Sequence, residues 1–489
     1  MARIWAVGLG CLLLFAGSAL AQVSPDEHRL VLMNEPLSYM DVIDAADGPD
    51  RFDINALVEF SRSVERAQLS RETTSEQGDR LRRKLAESEH VVSRLSLGLD
   101  VGLYHDLMAF VRLPLTISDA RTLRARGDAG PRLLSDPGDF GGGSGPLFTL
   151  PFDSPTRAGF DHIAFGFAYA ILSQARARFM PTWLVSLEGR RALGEPMRPC
   201  RVDETGERVC GAANTEDIDG DGVEDGTAAE LGGGGPGISR GVSALKLDTR
   251  VARRFRYAES YAGFGVLVEW PSTAARYFRP GGLSEGMLQA SPSRQFSVDI
   301  GNALIPWEHR GRFQRVAIDL RANATYFSGG REYSALYDAL GTSSHAGLAR
   351  PQFEGVLGDA APGTPLTICD GSAERPCYVG NKVPFYGLTD VTARLRYGVR
   401  LGLELQAARY VRFQFGSVLS WVTAHALTAA WPCNTQVDRA DKTTSLTGGQ
   451  CAEGIVNPAH RETIDLPGRR FWLSQAFLYD IYAAATAQF

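Results

Sequence analysis

In the stretch VTARLRYGVRLGLELQ, the odd positions Val391, Ala393, Leu395, Tyr397, Val399, Leu401, Leu403 and Leu405 are all apolar. The even positions, Thr392, Arg394, Arg396, Gly398, Arg400, Gly402, Glu404 and Gln406, are polar or glycine. Side chains alternate between the two faces of a strand, so this pattern predicts a strand over 391–406 with one apolar and one polar face. It is far longer than the roughly 5–6 residues of a usual globular strand, and longer than the roughly 9–11 that cross a bilayer at a tilt. The pattern recurs in VSRLSLGLDVGLY, where Leu95, Leu97, Leu99, Val101 and Leu103 oppose Arg94, Ser96, Gly98, Asp100 and Gly102. It continues in LMAFVRLPLTIS, with Leu107, Ala109, Val111, Leu113, Leu115 and Ile117 on one side, after a turn at His105 and Asp106 that predicts a hairpin. Further strands are expected at 53–66, 160–173, 179–190, 242–256, 260–270, 294–305, 313–327, 410–425 and 471–489. The expected total is about twelve, within a range of 10–14.

The connections alternate in length. Tight links fall near 105, 175, 257, 308 and 408, and long ones span about 67–90, 119–159, 191–241, 271–293, 328–386 and 426–470. Loops of this length are uncommon in a compact soluble domain. Transmembrane β-barrels carry them routinely, with short periplasmic turns, long extracellular loops and an even strand number. Trp270, Trp421 and Trp472 fall at the long-loop ends of their strands, and Trp307 and Tyr410 beside short turns, as two aromatic girdles would. Trp183, near the start of its strand, fits that scheme less well.

Composition narrows the setting. The chain has 489 residues and a net charge of -5, which gives no basic footprint for a nucleic-acid partner. Residues 1–21 read as a signal peptide cut before Gln22, with Arg3, an apolar run from Ile4 to Gly17, and small residues at Ala19 and Ala21. A lipoprotein reading of Cys11 lacks the leucine expected ahead of it. Six further cysteines fall as neighbours, Cys200 with Cys210, Cys369 with Cys377 and Cys433 with Cys451, all in long loops. In an exported chain an even count suggests disulfides, and neighbour pairing is the simplest of the possible connectivities.

The final strand, FWLSQAFLYDIYAAATAQF, ends on Phe489 with Ala487, Ala485, Ala483, Ile481, Tyr479 and Phe477 on one face. It resembles the C-terminal signal of bacterial outer-membrane β-barrel proteins, in which a terminal phenylalanine closes an amphipathic strand; three alanines depart from the usual larger residues. The resemblance implies an all-β transmembrane barrel in the bacterial outer membrane, inserted by machinery that reads Phe489, with outer-membrane lipid and lipopolysaccharide as surroundings. The expected organisation is a signal peptide at 1–21, a periplasmic segment or small plug at 22–52 and the barrel at 53–489.

Under this reading the polar faces line the lumen and collect Arg94, Asp100, Arg112, Glu188, Arg190, Lys246, Asp248, Arg250, Asp299, Arg315, Asp319, Arg321, Arg394, Arg396, Arg400, Glu404 and Asp480. Charges would cost roughly 2–4 kcal/mol each against lipid at the midplane. Two roles stay open: an arginine ladder selecting anions, with Arg394, Arg396 and Arg400 as the constriction and Arg250, Arg315 and Arg321 contributing, or ion pairs that close the lumen.

The loop DIDGDGVEDG places Asp217, Asp219, Asp221 and Asp225 at the spacing of a calcium loop with Gly222 at the turn. Position 12, where an EF-hand needs glutamate, is Ala228, so a structural Ca2+ loop or a solvated acidic loop are the two readings. Catalysis is not expected. Ser417 and His425 stand eight residues apart, about 26 Å along a strand at 3.3 Å per residue, too far for proton relay. The expected function is a porin-like channel for small polar or anionic solutes. The alternative is a non-conducting structural or adhesion barrel with disulfide- and calcium-stabilised loops.

Overall fold

The computed structural model describes residues 37, 39–40, 54–74, 78–126, 134–135, 145–174, 177, 179–203, 205–211, 235–272, 278, 287–348, 385–408, 410–436 and 455–489. The expected signal peptide, the calcium motif with Asp217, Asp219, Asp221 and Asp225, and Cys369, Cys377 and Cys451 lie outside the described residues.

Twelve long strands follow one another around a closed antiparallel barrel: β1 (Ile54–Thr74), β2 (Arg80–Tyr104), β3 (Leu107–Ala125), β4 (His162–Leu172), β5 (Thr182–Ala192), β6 (Val242–Phe255), β7 (Ala258–Pro271), β8 (Gln295–His309), β9 (Gln314–Phe327), β10 (Arg394–Ala408), β11 (Val411–Val422) and β12 (Phe471–Gln488). Each strand pairs with its chain neighbour, and β1 closes the ring on β12 through registers such as Ala56 with Ala487 and Val58 with Ala485. Closure leaves the ring itself no unpaired edge, which is what permits strands to stand in lipid. Ile54 and Phe489 exchange backbone hydrogen bonds at 3.1 and 2.9 Å, so the strand ends meet at the short-turn rim.

Alternation in sequence becomes inside and outside in space. Leu395, Tyr397, Val399, Leu401 and Leu403 of β10 are exposed on the outer surface, and Phe165, Phe167, Leu245, Leu247, Val298, Ile300 and Leu320 extend the same apolar band over other strands. On β8, exposed Phe296 and Trp307 stand at opposite rims. Eleven steps of about 3.3 Å, tilted by about 40°, separate them by roughly 28 Å, the height of a bilayer's hydrocarbon core. Trp183 falls at the short-turn end of β5 and is exposed, so it joins Trp307 and Tyr410 in the lower girdle. Trp472 departs from the expected girdle: its indole N–H donates to Glu72 at 2.7 Å and Arg82 stacks on its ring. Among the described residues no helix is long and apolar enough to cross a membrane.

Two other expectations are corrected. The stretch 67–90 is not a long loop, because β1 and β2 continue as a hairpin past the bilayer and leave only residues 75–79 between them. Val391 does not face lipid: it pairs with Gly330 in a short ladder (Thr389–Val391 with Gly330–Glu332), is 2% exposed, and β10 begins at Arg394.

The long-loop side forms a packed cap. Leu69, Leu85 and Ala86 of the β1–β2 extension share one apolar cluster with Phe148, Leu336, Leu340, Phe385, Leu427, Ile464 and Phe471. Its polar frame is buried too. Arg157 and Asp338 pair at 2.6 Å with both side chains almost fully covered, and the Cys200 backbone N–H donates to Asp338 at 2.9 Å. Cys200 and Cys210 are disulfide-bonded as expected, and Cys433 is disulfide-bonded as well.

Candidate functional site: the barrel lumen

The polar faces of β6 to β9 put Arg250, Glu259, Tyr261, Asp299, Asp319 and Arg321 on the inner wall between the rims. A stretch of chain from ahead of the barrel sits against them. Leu37 and Met40 are buried with Phe110, Ala168, Leu184, Tyr261, Ala303 and Ile305, and Tyr39 packs against the same cluster. Each contact has a physical partner. The Leu37 backbone N–H donates to both Glu259 carboxylate oxygens at 3.3 Å, and Arg250 donates to the Tyr39 carbonyl at 3.0 Å.

The Tyr39 ring is held between cations and a second aromatic ring. Arg321 lies 3.9 Å and Arg250 4.8 Å from its centroid, distances at which a guanidinium is attracted to the ring face. The Tyr261 ring is 4.3 Å away. Tyr261 in turn donates to Asp319 and accepts from Arg321 at 3.0 Å, while Arg321 and Asp319 pair at 3.2 Å. Glycines make the fit possible. A Cβ on Gly263 would overlap the Tyr39 hydroxyl, and one on Gly301 would overlap the Tyr261 ring. A strand glycine often marks such a close approach.

The six arginines singled out from sequence do not form one ring. Arg250 and Arg321 meet at Tyr39, and Arg315 pairs with Glu404 at 3.2 Å between β9 and β10. Arg400 donates to the Tyr482 hydroxyl at 2.9 Å. At the cap end, Arg394 pairs with Glu332 at 2.7 Å, and both Arg394 and Arg396 lie over the Phe327 ring at 4.5 and 5.2 Å. Further lumen charges couple in place: Arg112 with Asp100, Arg190 with Glu188 at 2.6 Å, and Lys246 with Asp248 at 2.7 Å. The wall is thus polar along its height, with many of its charges paired in place.

Sequence reasoning missed Leu37, Tyr39, Glu259 and Tyr261. The one signal that could have found them is the set of lumen-side glycines, whose missing side chains leave room for rings. Among the described residues no group of three or more histidines, cysteines or carboxylates is placed to hold a metal ion.

No protein-family model and no curated protein matches the chain. Solved structures similar to it include an outer membrane channel of Pseudomonas putida F1, at 6% identity and a TM-score of 0.34 over 93% of this chain and 99% of that one. The outer membrane protease OmpT of Escherichia coli is similar at 8% identity and a TM-score of 0.26, over 92% and 100%. An anion-selective porin of Comamonas acidovorans is similar at 7% identity and a TM-score of 0.20, over 89% and 100%.

Proposed function

We propose that this transmembrane β-barrel is an outer-membrane channel for small polar or anionic solutes, closed at rest by its own Leu37, Tyr39 and Met40. The observation that carries this reading is the seat of Tyr39, on a charged wall, between Arg250 and Arg321. A barrel meant only to be solid would fill its lumen with wall side chains, as small barrels do. Here Leu37, Tyr39 and Met40, from ahead of the barrel, sit among the wall side chains, held by a few polar contacts that can exchange for water or for a solute's own acceptors. Displacing Tyr39 would uncover the Arg250 guanidinium and one face of Arg321, which stays paired with Asp319, and the uncovered Arg250 is the basis for anion preference.

The test is efflux of small anions and cations from proteoliposomes. Tyr39→Ala is expected to raise anion efflux several-fold over the wild type, and cation efflux less. Equal and negligible efflux from both, by protein that still shows heat-shifted gel mobility, would end the channel reading.

The second reading, a non-conducting barrel whose loops bind, is favoured by the packed cap and by the buried Arg157–Asp338 pair that frames it. The acidic loop at Asp217, Asp219, Asp221 and Asp225 is proposed as a structural Ca2+ site on sequence grounds, since its spacing supplies oxygen ligands around a glycine turn. No catalytic step enters either reading.

A further inference from the structure

On β8 the exposed positions between the girdle residues Phe296 and Trp307 are Val298, Ile300, Asn302, Leu304 and Pro306, and Asn302 breaks an otherwise apolar series. At about 3.3 Å per residue and a tilt of about 40°, its amide stands roughly 15 Å below Phe296 and 13 Å above Trp307. That is near the middle of the hydrocarbon, on the outer surface.

A primary amide carries two N–H donors and an acceptor oxygen. Asn302 Nδ2 donates to Ser260 Oγ of β7 at 3.2 Å, and among the described residues this is the one hydrogen bond of its side chain. An N–H and the carbonyl oxygen are left facing lipid tails, which offer neither donor nor acceptor, and unmet polar groups are costly there. The wall handles Thr249 differently: its outward hydroxyl accepts from the Trp183 indole at 2.8 Å.

The surface around Asn302 admits a close approach. Ala258, Ser260 and Ala262 are the outward residues of lower β7, and Ala322 of β9 stands outward opposite Ile300, diagonal to the amide. Ile300, Leu304 and Leu320 are exposed beside them and supply apolar contact.

We infer that this outer face of β7 to β9 is the contact between two copies of the chain within the membrane, with Asn302 at the two-fold axis. The unmet chemistry of Asn302 selects a second copy. It has one donor and one acceptor to satisfy, and another Asn302 brings the same two. In an isologous interface a residue on the axis meets itself, so each amide donates to its partner's carbonyl and accepts in return. An axis along the membrane normal keeps both copies in one orientation and both amides at one depth. The inference rests on the lipid-facing assignment of the outer wall and is independent of whether the lumen conducts.

The experiment counts subunits by stepwise photobleaching of the full mature chain, singly labelled, in supported lipid bilayers over a range of protein densities. Wild type is expected to give two-step spots whose share grows with density. Asn302→Leu, which completes the apolar wall, is expected to weaken association about tenfold, the effect of two modest hydrogen bonds in a membrane. Leu99→Ala, on the outer face of β2, is expected to leave it unchanged. Asn302→Cys is expected to yield a disulfide-linked dimer on mild oxidation, and Leu99→Cys is not. Single-step spots from wild type at every density, whether alone or with another protein bound, would overturn the assignment. So would an unchanged two-step share in Asn302→Leu, or equal cross-linking at the two cysteine positions. Heat-shifted mobility confirms that each variant is folded.

Discussion

Leu401 is 53% exposed at the middle of β10, with Leu320 and Ser417 opposite it on the neighbouring strands. Its outward position makes a direct test of which face meets lipid. Leu401→Arg is expected to destabilise the barrel by roughly 2–4 kcal/mol, as cations do near the bilayer midplane. Arg400→Gln, one residue before and facing the lumen, is expected to change stability much less. Urea unfolding in lipid vesicles reads both. In the cap, two buried histidines make a second residue-scale prediction. Burial pushes His425 and His460 down to about 4, and each is bonded to a backbone carbonyl, Thr423 and Ala430 respectively. Arg394 faces His425, and Arg461 and Arg470 face His460, all disfavouring a second positive charge. An opened cap would take up protons near pH 6.5 while the closed one does not until about 4. Their contribution to cap stability is therefore complete above about pH 6.5 and is lost as pH falls toward 4. Asp465, pushed up to about 7 by burial, acts in the opposite direction. In an Asp465→Asn background, the protection of residues 425–430 against hydrogen exchange, relative to the free-amide rate at each pH, should fall as pH drops from 6.5 to 4.

At the scale of elements, the cap depends on the pairing of Arg157 with Asp338. Asp338 accepts from both Arg157 Nη atoms, at 3.1 and 2.6 Å, and from the Cys200 N–H, so its removal strands a buried guanidinium. Breaking such a pair costs about 3–5 kcal/mol. Asp338→Ala is expected to make loops around 197–203 and 334–342 protease-sensitive while the barrel keeps its heat-shifted mobility. Elements also show where sequence was legible. The lipid-facing strands could be read because lipid demands an apolar outer face and water in the lumen permits a polar inner one, so alternation survives in β10 without a break. The upper part of the β1–β2 hairpin was illegible for the same reason. Above the bilayer its outer face meets water, and its inner face is covered by loop residues such as Phe148 and Ile464, so only Leu69, Leu85 and Ala86 betray it. Val391 failed in reverse: it continued the alternation but is buried under the cap.

For the whole molecule, a closed wall, an apolar band between aromatic girdles and a polar lumen make a membrane-spanning barrel. Lumen arginines could be named from the polar face of their strands, but their partners could not, since Arg315 with Glu404 or Arg394 with Glu332 depends on three-dimensional register and loop placement. The seat of Tyr39 is the least local feature of all, joining residue 39 to residues 250, 261 and 321. Single-channel recording in planar bilayers, comparing the full mature chain with one lacking residues 22–52, tests the central claim that this seat closes a passage. The account predicts rare, small openings from the full chain and sustained stepwise conductance from the shortened one, with a reversal potential shifted toward anions under a salt gradient. Indistinguishable traces from two folded proteins would contradict it.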